Sequence, residues 1–165
     1  MLNYCRLQDI ILQEMITIRE YTPLDRESLI KLLRLNIPKY FAPEEEQDLI
    51  DYLDKHIYSY FVILLHNEIV GAGGFNISED KTTGILSWDF FHPEHQGAGL
   101  GTTLTLYRIK KLKEIKTITK IMVRTSQLAY KFYQKFGFET QEIVKDYWGK
   151  DLDLYRMENS IEKIN

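Results

Sequence analysis

Apolar and polar residues alternate over residues 15–21, the period of a half-buried strand. Thr22, Pro23 and Asp25 then supply a cap, a first-turn proline and an acidic third position, so a helix is predicted to begin there. Leu29, Leu32, Leu33 and Leu35 recur at helical spacing until Asn36-Ile37-Pro38, where proline cannot donate the next backbone bond. After Pro43 a second helix is expected. Glu44, Glu45 and Glu46 complement the dipole at its start, and Leu49, Ile50, Leu53 and Ile57 build one apolar face.

Residues 58–65 and 69–76 are rich in strand-forming types and are separated by His66-Asn67-Glu68, short enough for a hairpin. A third strand of this group is predicted over 84–91. Leu100, Leu104 and Tyr107, with Leu106, Ile109 and Leu112, fill two neighbouring rows of a long helix running to about Ile115. Residues 118–124 read as a strand, 127–136 as a helix ended by Gly137, and the remainder as two strands around Trp148-Gly149-Lys150. The predicted order is βααβββαβαββ. Early hairpins followed by strand-helix-strand units imply an α/β (α+β) fold with a mixed sheet flanked by helices.

A length of 165 residues suits a single domain, expected over 15–158, with an N-terminal extension at 1–14 and a tail at 159–165. A net charge of −3 provides no domain-wide positive field for a nucleic-acid backbone, so nucleic acid is not an expected partner. The longest apolar stretch, around Phe61 to Leu65, is too short to span a bilayer, and no membrane partner is expected. One cysteine, Cys5, cannot close an internal disulfide, and paired-cysteine metal spacing is absent. A cytoplasmic protein without a metal is the expectation.

Candidate chemistry concentrates in Gln96-Gly97-Ala98-Gly99-Leu100-Gly101-Thr102, which follows a strand and a proline-containing turn and opens the long helix. Glycines allow close backbone approach, and the free N–H groups of a helix start carry partial positive charge, so a phosphate or pyrophosphate is a natural ligand. The alternative is a tight turn without a ligand. A dinucleotide fingerprint fails because Thr102 stands where the last glycine is required, and no Gly-Lys-Ser/Thr forms a P-loop.

The segment Gln96-Gly97-Ala98-Gly99-Leu100-Gly101, with Pro93 before it, resembles the Q/R-x-x-G-x-G/A signature of the GNAT superfamily of N-acetyltransferases. Ala129, Tyr133, Gly137 and Phe138 resemble that family's A-x-x-x-Y-x-x-x-G-F helix, whereas Ser126 stands where an asparagine is often found. The resemblance spans about residues 15–157. It implies a single domain with a mostly antiparallel sheet, and acetyl-CoA as cosubstrate. The amides of residues 96–102 would bind the pyrophosphate, and the strand edge at Phe90 and Phe91 would bond the pantetheine arm.

Acyl transfer to an amine needs a neutral nitrogen, stabilisation of the oxyanion and a proton for the thiolate. By resemblance Tyr133 is the candidate general acid, with core packing as its other reading. Asp89, an ionisable group in an otherwise apolar strand, is the candidate general base or a hydrogen-bonding partner of buried groups. His92 and His95 read as exposed loop residues. Arg108, Lys110, Lys111, Lys113 and Lys116 read as a solvated face that complements the helix dipole, while Lys131 and Lys135 lie nearer the second motif. The resemblance places the acceptor near residues 36–43, the first two helices and the last hairpin, where Tyr40, Phe41, Tyr147 and Trp148 could enclose it and Glu44 to Glu46 could attract a cation, with packing and helix capping as the other readings. It also allows a homodimer. A non-catalytic module that senses acyl-CoA is the alternative function.

Overall fold

The computed structural model describes residues 16–164; Met15 and the expected extension at 1–14 lie outside the described residues. Seven strands form one sheet: β1 (Ile16–Glu20), β2 (Ser59–Leu65), β3 (Glu68–Ile77), β4 (Thr83–Phe91), β5 (Lys120–Thr125), β6 (Glu139–Gly149) and β7 (Leu152–Ser160). The helices are α1 (Arg26–Arg34), α2 (Glu45–Lys55), α3 (Leu100–Lys113) and α4 (Tyr130–Gln134). Their order is the predicted βααβββαβαββ. Across the sheet the strands run β1-β2-β3-β4-β5-β7-β6. Among the described residues only β4 and β5 are parallel, joined by the α3 crossover; every other neighbouring pair is antiparallel.

β2 shows why the sheet is covered on both sides. Tyr60, Phe61, Val62 and Ile63 are all buried, as a continuous apolar run requires. Phe61 and Ile63 join a cluster with Leu104 and Leu112 of α3, while Tyr60 and Val62 pack on the opposite face with Leu29 and Leu33 of α1 and Leu49 of α2. His66 and Asn67 both take positive φ, 52° and 66°, so β2 and β3 join through a two-residue turn whose twist suits a hairpin.

Several boundaries differ from the pattern reading. The second-motif helix is five residues rather than ten, because residues 126–129 form a turn tied by Ala129 and Tyr130 N–H groups to the Ser126 carbonyl. β7 reaches Ser160, and Ile161 and Ile164 are buried, so residues set apart as a tail contribute to the core. Among the described residues no helix is long and apolar enough to cross a membrane.

The entry to α1 is fixed by charge. Arg19 at the end of β1 clamps Asp25 with bonds of 2.7 and 2.8 Å, and Asp25 Oδ2 accepts the Thr22 N–H at 2.8 Å. The Arg19 hydrogen bonds, reinforced by those from Thr22, hold the buried Asp25 carboxyl down at about 2. A depressed carboxylate contributes stability above its unfolded value near 4, and that contribution is lost as pH falls through 2. Asp25→Asn should therefore lower the unfolding free energy by about 1–2 kcal/mol at pH 7, with the gap to wild type narrowing from pH 4 toward pH 2 in urea titrations. A gap that stayed constant over that range would contradict the assignment.

Candidate active site

Parallel pairing between β4 and β5 begins at Thr83 and Lys120 and ends at Leu86 and Val123, although β4 continues to Phe91 and β5 to Thr125. The strands part, and a cavity of about 880 Å³ occupies the opening. Its floor is the free edge of β4 from Ser87 to Phe91. One wall is built by α2 and the loop before it, the other by residues 123–133.

A bulge in β4 decides which way the side chains of this floor point. Ala72 pairs with Phe90 and Gly74 with Ser87, so one residue of β3 opposes two of β4, and Trp88 takes φ 52°. Strict alternation from Leu86, which faces α3, would turn Asp89 toward α1 and α2. The extra residue reverses the phase: Trp88 and Phe90 pack on the α1–α2 side, and Asp89 meets α3.

There Asp89 encounters Arg108, whose side chain has 0% exposure. The guanidinium grips both carboxylate oxygens, one through Nη1 and one through Nη2 at 2.5 Å, and also donates to the Gly74 carbonyl at 3.0 Å and Thr105 Oγ1 at 3.1 Å. A Cβ at residue 73 would lie 2.9 Å from Asp89 Oδ1 and 3.1 Å from Arg108 Nη1, so only glycine leaves room for the pair. Tyr133 donates to Asp89 Oδ2 at 2.5 Å. Burial, and then the Asp89 charge, raises its phenol well above the ordinary value, so it remains protonated at neutral pH. Tyr133 and Asp89, proposed separately from sequence, are thus direct partners lining one cavity.

Arg108 corrects the reading of the basic helix end. It occupies the row Leu104, Arg108, Leu112, all three buried, whereas Lys110 and Lys113 are exposed. Its four-residue spacing from two core leucines, together with a lone aspartate in an apolar strand, was the available signal.

The glycine loop lines the cavity near the start of α3. Gly97 and Gly99 take φ of 85° and 78°, and an added Cβ at either would meet nothing within 4 Å. The N–H groups of Gly97, Gly99, Leu100, Gly101 and Thr102 have no acceptor among the described residues, and no acidic residue occupies the first turn of α3. Five such donors around an open concavity fit a pyrophosphate. Ala98 differs, since its N–H turns back to the His95 carbonyl at 3.3 Å and its side chain does not line the cavity. Tyr40 reaches across from the α1–α2 connection to Gln96 Oε1 at 3.1 Å.

On the α2 side, Phe41 stacks on Trp88 with centroids 6.2 Å apart and planes at 13°, and Tyr52 packs on Trp88 at 6.1 Å. Buried Asn36, not singled out from sequence, donates to the carbonyls of Leu32 and Phe91, both at 3.0 Å. Glu45 is also buried, and Ala42 donates its N–H to Oε2 at 2.7 Å. Burial, opposed by that bond and aided by Asp48 and Glu44, pushes the Glu45 carboxyl up to about 7. The acidic run therefore contains one residue that lines the cavity as well as a helix start.

The remaining candidates divide. Trp148 and Lys135 line the cavity; Tyr147 and Lys131 do not, and Tyr147 instead accepts a hydrogen bond from Arg124. His92 and His95 are half-buried rather than exposed, because they pack side by side: His92 Nδ1 accepts the Glu94 N–H at 3.3 Å, and His95 lines the cavity.

Comparison with known proteins narrows what such a cleft belongs to. The sequence profile described as "Acetyltransferase (GNAT) family" matches residues 26–138. The human and mouse cysteine-rich protein 2-binding proteins are 34% and 33% identical over 90 residues, 54% of this chain; the match spans only 11% of each of those longer proteins. Ard1 from Thermoplasma volcanium superposes with a TM-score of 0.74 at 19% identity, covering 88% of this chain and 97% of that one. The ribosomal-protein-S18-alanine N-acetyltransferase from Escherichia coli gives 0.74 at 17%, with 89% and 94% covered. An aminoglycoside 6'-N-acetyltransferase complexed with coenzyme A gives 0.71 at 18%, with 88% and 97% covered. With its profile match across the parted strands, the glycine loop and Tyr133, the chain belongs to the acetyltransferase (GNAT) family.

Proposed function

We propose that the protein transfers an acetyl group from acetyl-CoA to a primary amine by direct attack on the thioester. The observation that carries this reading is the set of unpaired N–H groups at Gly97 and residues 99–102, opening on the same cavity that Tyr133 lines. The loop would hold the pyrophosphate, and the β4 edge at Phe90 and Phe91 would meet the pantetheine amides. Because Asn36 already bonds the Phe91 carbonyl, this edge is held in place before any ligand arrives.

In the reaction an amine that has given up its ammonium proton to solvent forms a bond from nitrogen to the acetyl carbon while the carbon–sulfur bond breaks, and the nitrogen then sheds a further proton to solvent. Tyr133 donates its phenolic proton to the departing sulfur and regains one from solvent. Its raised affinity for that proton keeps the donor loaded near neutral pH. Asp89 acts in this reading as a positioning residue: its oxygens are engaged by Arg108 and Tyr133, so it orients the phenol rather than collecting the amine's proton.

Acetyl-CoA at about a hundred times its dissociation constant should stabilise the fold by about 2.7 kcal/mol, read as a rise in Tm, while NAD at the same concentration should leave Tm unchanged. No shift with acetyl-CoA would contradict the donor assignment. Tyr133→Phe should retain that shift but release thiol about a hundredfold more slowly with an accepted amine. Unchanged turnover would reassign Tyr133 to packing, and a wild-type protein that binds acetyl-CoA without releasing thiol across an amine panel would be a binding module.

A further inference from the structure

We infer that the acceptor enters the cleft as a cation, and that Glu45 holds its ammonium while its carbon body lies against Phe41 and Trp88. This rests on the acetyl-transfer reading and names the class of its acceptor.

Only two carboxylates line the cavity among the described residues, Glu45 and Asp89. Asp89 is neutralised by Arg108. Glu45 has no ion-pair partner among the described residues, although it is only 8% exposed. Its neighbour Glu46 points outward and is gripped by Arg34 at 2.7 Å. Capping explains part of Glu45, since Oε2 accepts the Ala42 N–H, but that task uses one neutral acceptor and does not require a charge. A buried carboxylate without a cation is unfavourable, and a substrate ammonium arriving through the cavity removes that cost.

The surroundings agree on the kind of cation. Glu45 and Tyr52 stand seven residues apart on the same side of α2, and both line the cavity. The Tyr52 ring packs on Trp88 and Phe41 stacks on the same indole, giving an aromatic wall suited to an apolar body and to an ammonium above a ring face. The cavity's lysine and arginine form no ion pair with Glu45 among the described residues: Lys135 follows α4, and Arg124 on β5 stacks over Tyr147 and Trp148 at 4.9 and 5.3 Å. Among the described residues no lysine or arginine of α2 or of the loop before it lines the cavity. An alkyl or arylalkyl amine without a carboxylate beside its nitrogen satisfies this wall; an amino acid places its carboxylate against Glu45.

Steady-state thiol release with phenylethylamine and phenylalanine, which differ only by the carboxylate, tests the inference on the wild-type protein. Phenylethylamine should show at least a tenfold higher kcat/KM, and equal or better use of phenylalanine would overturn the inference. Glu45→Gln keeps an oxygen for the Ala42 N–H and removes the charge. It should raise KM for phenylethylamine tenfold or more while leaving KM for acetyl-CoA unchanged, and Glu46→Gln should alter neither. Turnover by Glu45→Gln at unchanged phenylethylamine KM sinks the Glu45 assignment alone. A wild-type protein releasing no thiol with any amine sinks the transfer reading and this inference with it.

Discussion

Arg108 carries a full charge with no solvent contact, and the reactive end of the cleft depends on how that charge is met. An unpaired guanidinium in such a place would cost several kcal/mol, so Asp89 must reach it from the sheet. Asp89 can do so because the β4 bulge turns it toward α3 and because residue 73 has no side chain. The same bulge turns Trp88 to the opposite side, onto Phe41 and Tyr52. One irregularity in one strand thus sets the partner of Tyr133 on one face and the aromatic wall on the other.

The cleft brings charges of both signs to one cavity. Free N–H groups at the start of α3 present partial positive charge where a phosphate would lie, and a closed Asp89–Arg108 pair sits beside the phenol that would meet sulfur. Glu45 stands on the α2 wall as a carboxylate without a cation among the described residues. The cavity thus offers partial positive charge to a phosphate and a carboxylate to an ammonium.

Much of the fold was legible because its elements obey simple periods. The continuous apolar run of β2, the caps around α1 and the two apolar rows of α3 each state their own burial. The glycine loop was equally legible, since helix-start donors and an absence of acids are local properties. What escaped were features created by pairing between distant segments. The bulge at Trp88 exists only in register with Gly73, and Arg108 read as solvated because four lysines follow it within eight residues. The run Glu44 to Glu46 could be read as a cation attractor or as helix capping, but which of the three faces the cavity depends on the fold, and only Glu45 does.

Amide hydrogen exchange with and without coenzyme A reads the backbone N–H groups at the start of α3 one by one. Saturating coenzyme A should slow exchange at Gly97 and residues 99–102, with little change along β6 on the far edge of the sheet. Unchanged exchange at those amides, with protection appearing elsewhere, would contradict the placement of the donor at the start of α3.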